Sequence, residues 1–370
     1  MKAIILVGGE GLRLRPLTCN VPKPMVPIVN KPFLEHMLDN LGKHHIDEVI
    51  LAICYLPERI QSHFGDGSAF GLKLIYAVEQ SPLGTGGAVK NAEEFLDDTF
   101  LVFNGDIFSD LDLTDMVRFH RQSKARATIA LTPVEDPSAY GVVELDAQRR
   151  VKRFIEKPSR EMVESNLINA GAYVLEPEVL PLIPTRTHCM LERGLFPDMV
   201  ERGIPFFGYR SSAYWIDIGK PDDYLKLHHD ILMGKAMARL PGKPTGDNVW
   251  VEDGCKIHPS ARIMGPVVMG KGCKVDRDVR ISGPAVLGAG CSIRQGASVD
   301  EAVLWQNVTV GKNVVVRDSV LGNNSVIGDN TWITDGSVVS DDTTVGSGNK
   351  LEHGIKVWAG RKIEDNAISF

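Results

Sequence analysis

The 370-residue chain has no apolar run of membrane-spanning length, no block of basic residues and no pair of closely spaced cysteines. The first absence excludes a spanning helix. The stretch before Gly8 is too short for a signal peptide and has no cleavage pattern, so a cytoplasmic protein without a membrane partner is expected. A net charge of -6 with no basic run argues against a nucleic-acid partner. Six cysteines without close pairing fit reduced thiols. What is present is ordinary globular composition, 43% apolar and 24% charged, in a chain too long for one core. Two domains are therefore the default.

From Met1 to about Met233, apolar runs alternate with amphipathic stretches, the pattern of an α/β sheet with helices on both faces. A strand is expected at Ile4–Val7, a helix from Pro32 through Leu41, and strands at Glu48–Ile53 and Leu72–Val78. Ligands of such sheets sit at the carboxyl ends of the strands. The first strand empties into Gly8, Gly9 and Gly11, followed by Arg13, Arg15 and a proline-flanked Lys23. Glycines let several backbone N–H groups face one anion while fixed cations neutralise it, so this stretch reads as a phosphate site. G-G-x-G does not have the spacing of the dinucleotide fingerprint G-x-G-x-x-G, and the early acidic residue for a ribose is missing.

Later strand ends carry further polar clusters. Glu79-Gln-Ser-Pro-Leu-Gly-Thr-Gly-Gly87 follows the strand ending at Val78, with a helix expected from Ala88. Gly84, Gly86 and Gly87 permit a flat base to approach the backbone, and Glu79 sets a carboxylate at its edge. A carboxylate only accepts hydrogen bonds, so it suits the adjacent N1–H and N2–H₂ donors of guanine better than the single donor of thymine or uracil. A bland alternative is a solvated Glu79 with Gln80 as the reader. Phe100–Phe103 runs into Asn104-Gly105-Asp106, where a carboxylate past a buried strand suits Mg²⁺. Tyr140-Gly141-Val142, Phe154-Ile155-Glu156-Lys157-Pro158, Asn169-Ala170-Gly171 and Trp215-Ile216-Asp217-Ile218-Gly219 follow in order. The adjacent pairs His44, His45 and His228, His229 cannot chelate easily, since neighbours on a helix point apart, and are expected to be solvated.

Residues 8–24 resemble the signature of the sugar-1-phosphate nucleotidylyltransferases, G-G-x-G-T-R-L-x-P-L-T-x-x-x-P-K-P, with Leu12 in place of the usual Thr. That change removes one hydroxyl and keeps the backbone N–H. The resemblance extends through all the motifs above. It implies that Gly8, Gly9, Gly11, Glu79 and Gly84 bind the nucleotide and that Arg13 and Lys23 act on its phosphates. It also implies that Asp106 and Asp217 hold Mg²⁺, and that Gly141, Glu156, Lys157 and Asn169 bind the sugar phosphate. An NTP, GTP favoured, and a sugar-1-phosphate, mannose-1-phosphate favoured, are the implied substrates. Thymidylyl, uridylyl or adenylyl transfer to glucose-1-phosphate and guanylyl transfer to a heptose-1-phosphate are the alternatives. A non-catalytic regulatory subunit on the same fold is the rival of another class; it would be expected to lose charged site residues, and Arg13, Lys23, Asp106, Lys157 and Asp217 are all present.

After a proline- and glycine-rich linker, aliphatic or Met side chains recur every six residues from Val251 to Val299, slip by one to Leu304, slip again to Leu321 and resume through Leu351. This is the hexapeptide repeat of a parallel β-helix, and it resembles the left-handed kind found at the carboxyl end of the same family. Cys255, Cys273 and Cys291 are eighteen apart and should stack as an interior ladder of free thiols. Hexapeptide acyltransferases usually need a His base and a projecting loop; His258 lies inside regular hexads, His353 sits near the end, and no insertion interrupts the coils, which disfavours that activity. Flat coil faces suit self-association, so a homo-oligomer is expected. The expected architecture is a Rossmann-like nucleotidyltransferase domain over 1–235 with a mixed, mostly parallel sheet, a linker over 236–248, a left-handed parallel β-helix over 249–351, and a tail over 352–370.

Overall fold

The computed structural model describes every residue except 160, 161, 163, 247, 369 and 370. Position 247 of the expected linker and positions 369 and 370 of the expected tail thus lie outside the described residues. In chain order the elements before the repeat are β1 (Lys2–Leu6), β2 (Pro27–Ile28), β3 (Lys31–Pro32), α1 (Phe33–Lys43), β4 (Glu48–Ile53), α2 (Pro57–Phe64), β5 (Lys73–Val78), α3 (Gly84–Asn91), β6 (Phe100–Asn104), β7 (Ile107–Ser109) and α4 (Leu113–Gln122). They continue with β8 (Ala127–Pro133), β9 (Gly141–Leu145), β10 (Val151–Glu156), β11 (Leu167–Leu175), α5 (Leu195–Glu201), β12 (Phe206–Arg210), β13 (Trp215–Asp217) and α6 (Pro221–Leu232). By contact the chain forms two compact units, residues 1–10 with 37–217, and residues 11–36 with 218–370.

The first unit is built on a nine-stranded mixed sheet. β5, β4, β1 and β6 lie side by side in parallel, and Ile4 of β1 pairs with Ile50 on one side and Val102 on the other. Strands buried on both faces need continuous apolar runs, which is why Ala3, Ile4 and Ile5 and the stretch Val49–Ile53 have no exposed surface. β11 then runs antiparallel to β6, β8 and β9 and extends the sheet. Under it, Phe196 packs against Tyr173 and Phe206 with ring centroids 5.1 Å apart in each pair. Every parallel strand therefore ends at the same edge, where Gly8, Glu79 and Asn104 begin the loops.

The second unit carries three sheets of eight, seven and six strands, the faces of a left-handed β-helix, parallel throughout except that the first strand of the eight, Lys243–Pro244, runs antiparallel to Val249–Val251. Val267 pairs with Ala285, a full coil of eighteen residues, while Leu287 pairs with Leu304 and Leu304 with Leu321, each one residue short. The two slips in the hexad count are these two shorter coils. Cys273, Cys291, Ile281, Val299 and Leu321 are fully buried in the interior. Corners require φ > 0, which Asn and Asp tolerate best after glycine. Asn307, Asn324 and Asp342 take it up and form a ladder, Asn307 Nδ2 donating to Asn324 Oδ1 (3.1 Å) and Asn324 Nδ2 to Asp342 Oδ1 (2.9 Å).

All six cysteines are free, and Cys255, Cys273 and Cys291 form the expected column, each thiol donating to a carbonyl of the next coil: Gly270 O, Gly288 O and Trp305 O. The ladders run past Leu351, where the hexad count stopped, through Lys356–Val357 and Lys362–Ile363. α3 starts at Gly84 rather than Ala88, because the N–H groups of Gly86 and Gly87 donate to Cys189 O and fold the glycines into the helix. His228 is buried, not solvated: it lies on the inner face of α6 and its Nδ1 accepts from Val29 N. Burial holds its imidazole neutral, with the pKa pushed down to about 3.

Candidate active site

At the strand ends of the first unit, Val7 N donates to Ala52 O and holds the chain beside β4 up to Gly8. A Cβ on Gly8 would stand 3.3 Å from Cys54 Cβ and 3.8 Å from Glu79 Oε1, whereas one on Gly9 would meet nothing within 4 Å. Gly8 is thus tight against Cys54 and in ordinary contact with the carboxylate, and Gly9 opens onto free space. Glu79 is only 7% exposed, which removes the solvated alternative. Its Oε2 accepts from Leu83 N at 2.9 Å, and burial pushes its carboxyl above the usual range. A buried carboxylate so fixed presents acceptors to a ligand without a reorganisation cost.

Gly84 sits in the left-handed region (φ 74°), and a Cβ there would fall 2.6 Å from Cys189 O. The need for glycine here comes from the chain's own 187–191 segment, so what Gly84 offers a base is backbone alone. Gly105 N donates to Leu6 O, and a Cβ on Gly105 would be 2.5 Å from that oxygen. This close approach fixes Asp106 just beyond the ends of β1 and β6. β7 and β13 then pair antiparallel, with Asp217 opposite Ile107, the residue after Asp106. Two residues far apart in sequence are brought one position out of register on a two-stranded ribbon. Their oxygens are hard donors of the kind a Mg²⁺ ion prefers, so the pair fits that metal.

Further along the sheet, a Cβ on Gly141 would lie 2.7 Å from Phe154 Cζ and 2.9 Å from Glu156 Oε2. Burial raises the Glu156 carboxyl; Glu192 raises it further, and Lys157 and Arg193 pull it back. Lys157 is exposed, with φ 50° and its N–H on Tyr140 O. Asn169 is partly committed inside the chain: Nδ2 donates to Tyr173 Oη (2.8 Å), and Oδ1 accepts from Gly171 N (2.9 Å). Trp215 Nε1 donates to Ala170 O and ties the 169–171 turn to β13.

In the second unit, Gly11 adopts φ 65°, and a Cβ there would press on Thr18 Cγ2 (3.1 Å) and Lys23 Cβ (3.2 Å). Thr18 Oγ1 donates to Gly11 O at 2.7 Å and closes the 11–18 turn inside the signature segment. Lys23 is buried at the head of a 3₁₀ turn, and Leu12 is 58% exposed. Arg13 lies over Gly219: a Cβ on Gly219 would fall 2.7 Å from the guanidinium carbon.

A family model described as nucleotidyl transferase matches residues 2–234. The chain belongs to the nucleotidyl transferase family. A second model, described as the EIF2B subunit epsilon LbH domain, matches residues 246–351. A mannose-1-phosphate guanylyltransferase of Mycobacterium tuberculosis is 41% identical over 73% of this chain and 75% of that protein. A UTP–glucose-1-phosphate uridylyltransferase of Synechocystis is 36% identical over 84% of each. The crystal structure of HddC from Yersinia pseudotuberculosis complexed with GMP-PN has a TM-score of 0.54 and 30% identity, over 61% of this chain and 97% of that one. As a sugar-1-phosphate nucleotidylyltransferase, this chain has residues in its candidate site that sequence reasoning passed over. Glu192, buried, accepts from Thr85 Oγ1 at 2.7 Å and faces Tyr173 and Glu156. Asn104 bonds Tyr173 from the end of β6. No local pattern marks Glu192, a single acid in a loop; only the fold brings it to Glu156.

Proposed function

We propose that this protein joins GTP and mannose-1-phosphate into GDP-mannose and pyrophosphate. The observation that carries the choice of base is Glu79, a buried carboxylate held by Leu83 N, with its other oxygen beside Gly8 at the open glycine turn. Guanine supplies the adjacent N1–H and N2–H₂ donors that such an acceptor pair needs. The guanylyltransferase relatives agree with that reading. The Synechocystis relative makes UTP with glucose-1-phosphate the second reading, and Glu79 speaks against it because uracil offers one donor.

A phosphate oxygen of the sugar-1-phosphate attacks the α-phosphorus of GTP in line, and the bond to the β-phosphate oxygen breaks as pyrophosphate leaves. The nucleophile is already an anion, so no side chain has to remove a proton, and the protein's work is positioning and charge neutralisation. Gly8, Gly9 and Gly11 offer backbone N–H groups to the triphosphate, with Gly84 beside the base. Arg13 and Lys23 neutralise the departing pyrophosphate. Glu156 accepts from sugar hydroxyls, Asn169 keeps the lone pair and N–H left by its internal bonds for another, Lys157 holds the sugar's phosphate, and Gly141 keeps room for the ring. Asp106 and Asp217 would hold a Mg²⁺ ion, which when bound would supply neutralisation of phosphate charge. The catalytic region is read as 1–235, the linker as 236–248, the β-helix as starting at 249, and the protein as a cytoplasmic homo-oligomer.

The test is pyrophosphate release with Mg²⁺ over GTP, dTTP, UTP, ATP and CTP, each against mannose-1-phosphate and glucose-1-phosphate. Release mainly with GTP and mannose-1-phosphate is expected. A preference for UTP or dTTP overturns the base assignment, and silence in every pair moves the weight to an untested sugar or to the regulatory rival.

A further inference from the structure

The segment that carries Arg13 and Lys23 belongs by contact to the unit of the β-helix, and its hydrogen bonds say why. Ser340, in the β-helix, is 1% exposed, and its Oγ donates to Pro16 O at 2.8 Å across a sequence separation of 324 residues. Asn30 Nδ2 donates to Leu287 O, a carbonyl of another coil, at 2.9 Å. Between these two anchors a relay does the same work. Trp305 Nε1, buried in the β-helix, donates to Tyr224 Oη at 2.9 Å, and Tyr224 Oη donates to Pro27 O at 2.5 Å. Next to it on α6, His228 Nδ1 accepts from Val29 N. Backbone groups at positions 16, 27 and 29, and the side chain at 30, are thus held by residues that lie far beyond the sheet in sequence.

The anchors are not generic surface contacts. Pro16 and Tyr224 are buried, so each lost bond leaves a carbonyl or hydroxyl without solvent to replace its partner. Pro16 O lies three residues after Arg13, and Pro27 O four after Lys23, so the two proposed phosphate-binding cations sit on a stretch pinned close behind each of them. A turn held at these points keeps its cations within the narrow range that charge stabilisation requires. We propose that the β-helix is the positioning platform of the nucleotide-phosphate segment, with Ser340 and Trp305 as its positioning residues. This rests on the assignment of Arg13 and Lys23 to the triphosphate.

The experiment compares Ser340→Ala and Trp305→Phe with Ser337→Ala in the full chain. Ser337 is equally buried and donates to Leu351 O, a bond within the β-helix that does not touch the segment. Steady-state kinetics with GTP and mannose-1-phosphate should show kcat/KM for GTP lowered about tenfold in Ser340→Ala and Trp305→Phe, with KM for the sugar phosphate unchanged and Ser337→Ala near wild type. Amide hydrogen exchange of residues 12–20 should quicken in Ser340→Ala and not in Ser337→Ala. Equal behaviour of Ser340→Ala and Ser337→Ala in both measurements overturns the proposal, as does a loss that affects both substrates' KM alike. If wild type turns over no pair of substrates, it is the assignment of function that fails, and the exchange comparison alone then upholds or overturns the docking.

Discussion

Replacing Glu79 by Gln isolates the carboxylate proposed to read guanine. Gln keeps an oxygen to accept from Leu83 N, so the loop that Glu79 Oε2 closes at 2.9 Å should survive. What changes is the other end: an amide NH₂ now faces guanine donors where an acceptor stood. The site is 7% exposed, so water does not make good the lost bond. A hydrogen bond to a charged group in such a place is worth about 2 kcal/mol, which is roughly a thirtyfold fall in kcat/KM for GTP. UTP, which does not use two donors there, should lose much less. The pH dependence gives an independent check. Burial raises the Glu79 carboxyl, so the ionised acceptor forms only as pH climbs through that raised value, and kcat/KM for GTP should fall earlier on the acid side than an ordinary carboxylate would give. In the same window the folded state binds more protons at this site than the unfolded state. Wild type should therefore lose stability as pH rises through it, a slope that Glu79→Gln abolishes. Initial rates from pH 4.5 to 8 with GTP and UTP, and urea unfolding over the same range, measure both. An equal fall for GTP and UTP, or an acid limb that persists in the variant, refutes the reasoning.

Asp106→Asn and Asp217→Asn should each lower kcat by about 10² to 10³, read as pyrophosphate release at saturating substrates, because an amide is a poor ligand for a hard cation. Gly219→Ala would place a Cβ 2.7 Å from the Arg13 guanidinium carbon; a fall in kcat of about tenfold or more with unchanged urea midpoint is expected. Gly141→Ala would crowd Glu156 Oε2 at 2.9 Å and Phe154, so KM for the sugar phosphate should rise several-fold while KM for GTP holds.

Repeating patterns were the most legible part of this chain. The strand expected at Glu48–Ile53 is a strand over those same residues, its Val49–Ile53 an uninterrupted apolar run, because a central parallel strand has no polar face to confuse the reading. The hexads, slips included, correspond to real coils, since each aliphatic position owes its identity to one interior environment. Legibility failed where a residue's role depends on distant chain. His228 reads as half of a solvated pair because nothing local announces that Val29 and Tyr224 cover it. Glu192 carries no pattern at all, and its importance comes from Glu156 and Tyr173, remote in sequence. Gly84 and its neighbours look like clearance for a ligand, yet the space beside Gly84 is filled by Cys189. Even the signature segment, legible as a phosphate loop, gave no sign that its anchors lie at Leu287 and Ser340.

That last separation has a consequence for the order in which the chain is made. Strands β1, β4, β5 and β6 are complete within the first 104 residues and can pair as soon as they leave the ribosome. The segment around Pro16 is synthesised among them but must wait for Ser340, 324 residues later, before its last anchor exists. Closing so long a loop is slow relative to local pairing. A chain made only as far as Asp217 thus has its sheet strands and every charged residue of the candidate site, but the segment proposed to hold the phosphates takes its final shape only when the coils have been stacked almost to the end.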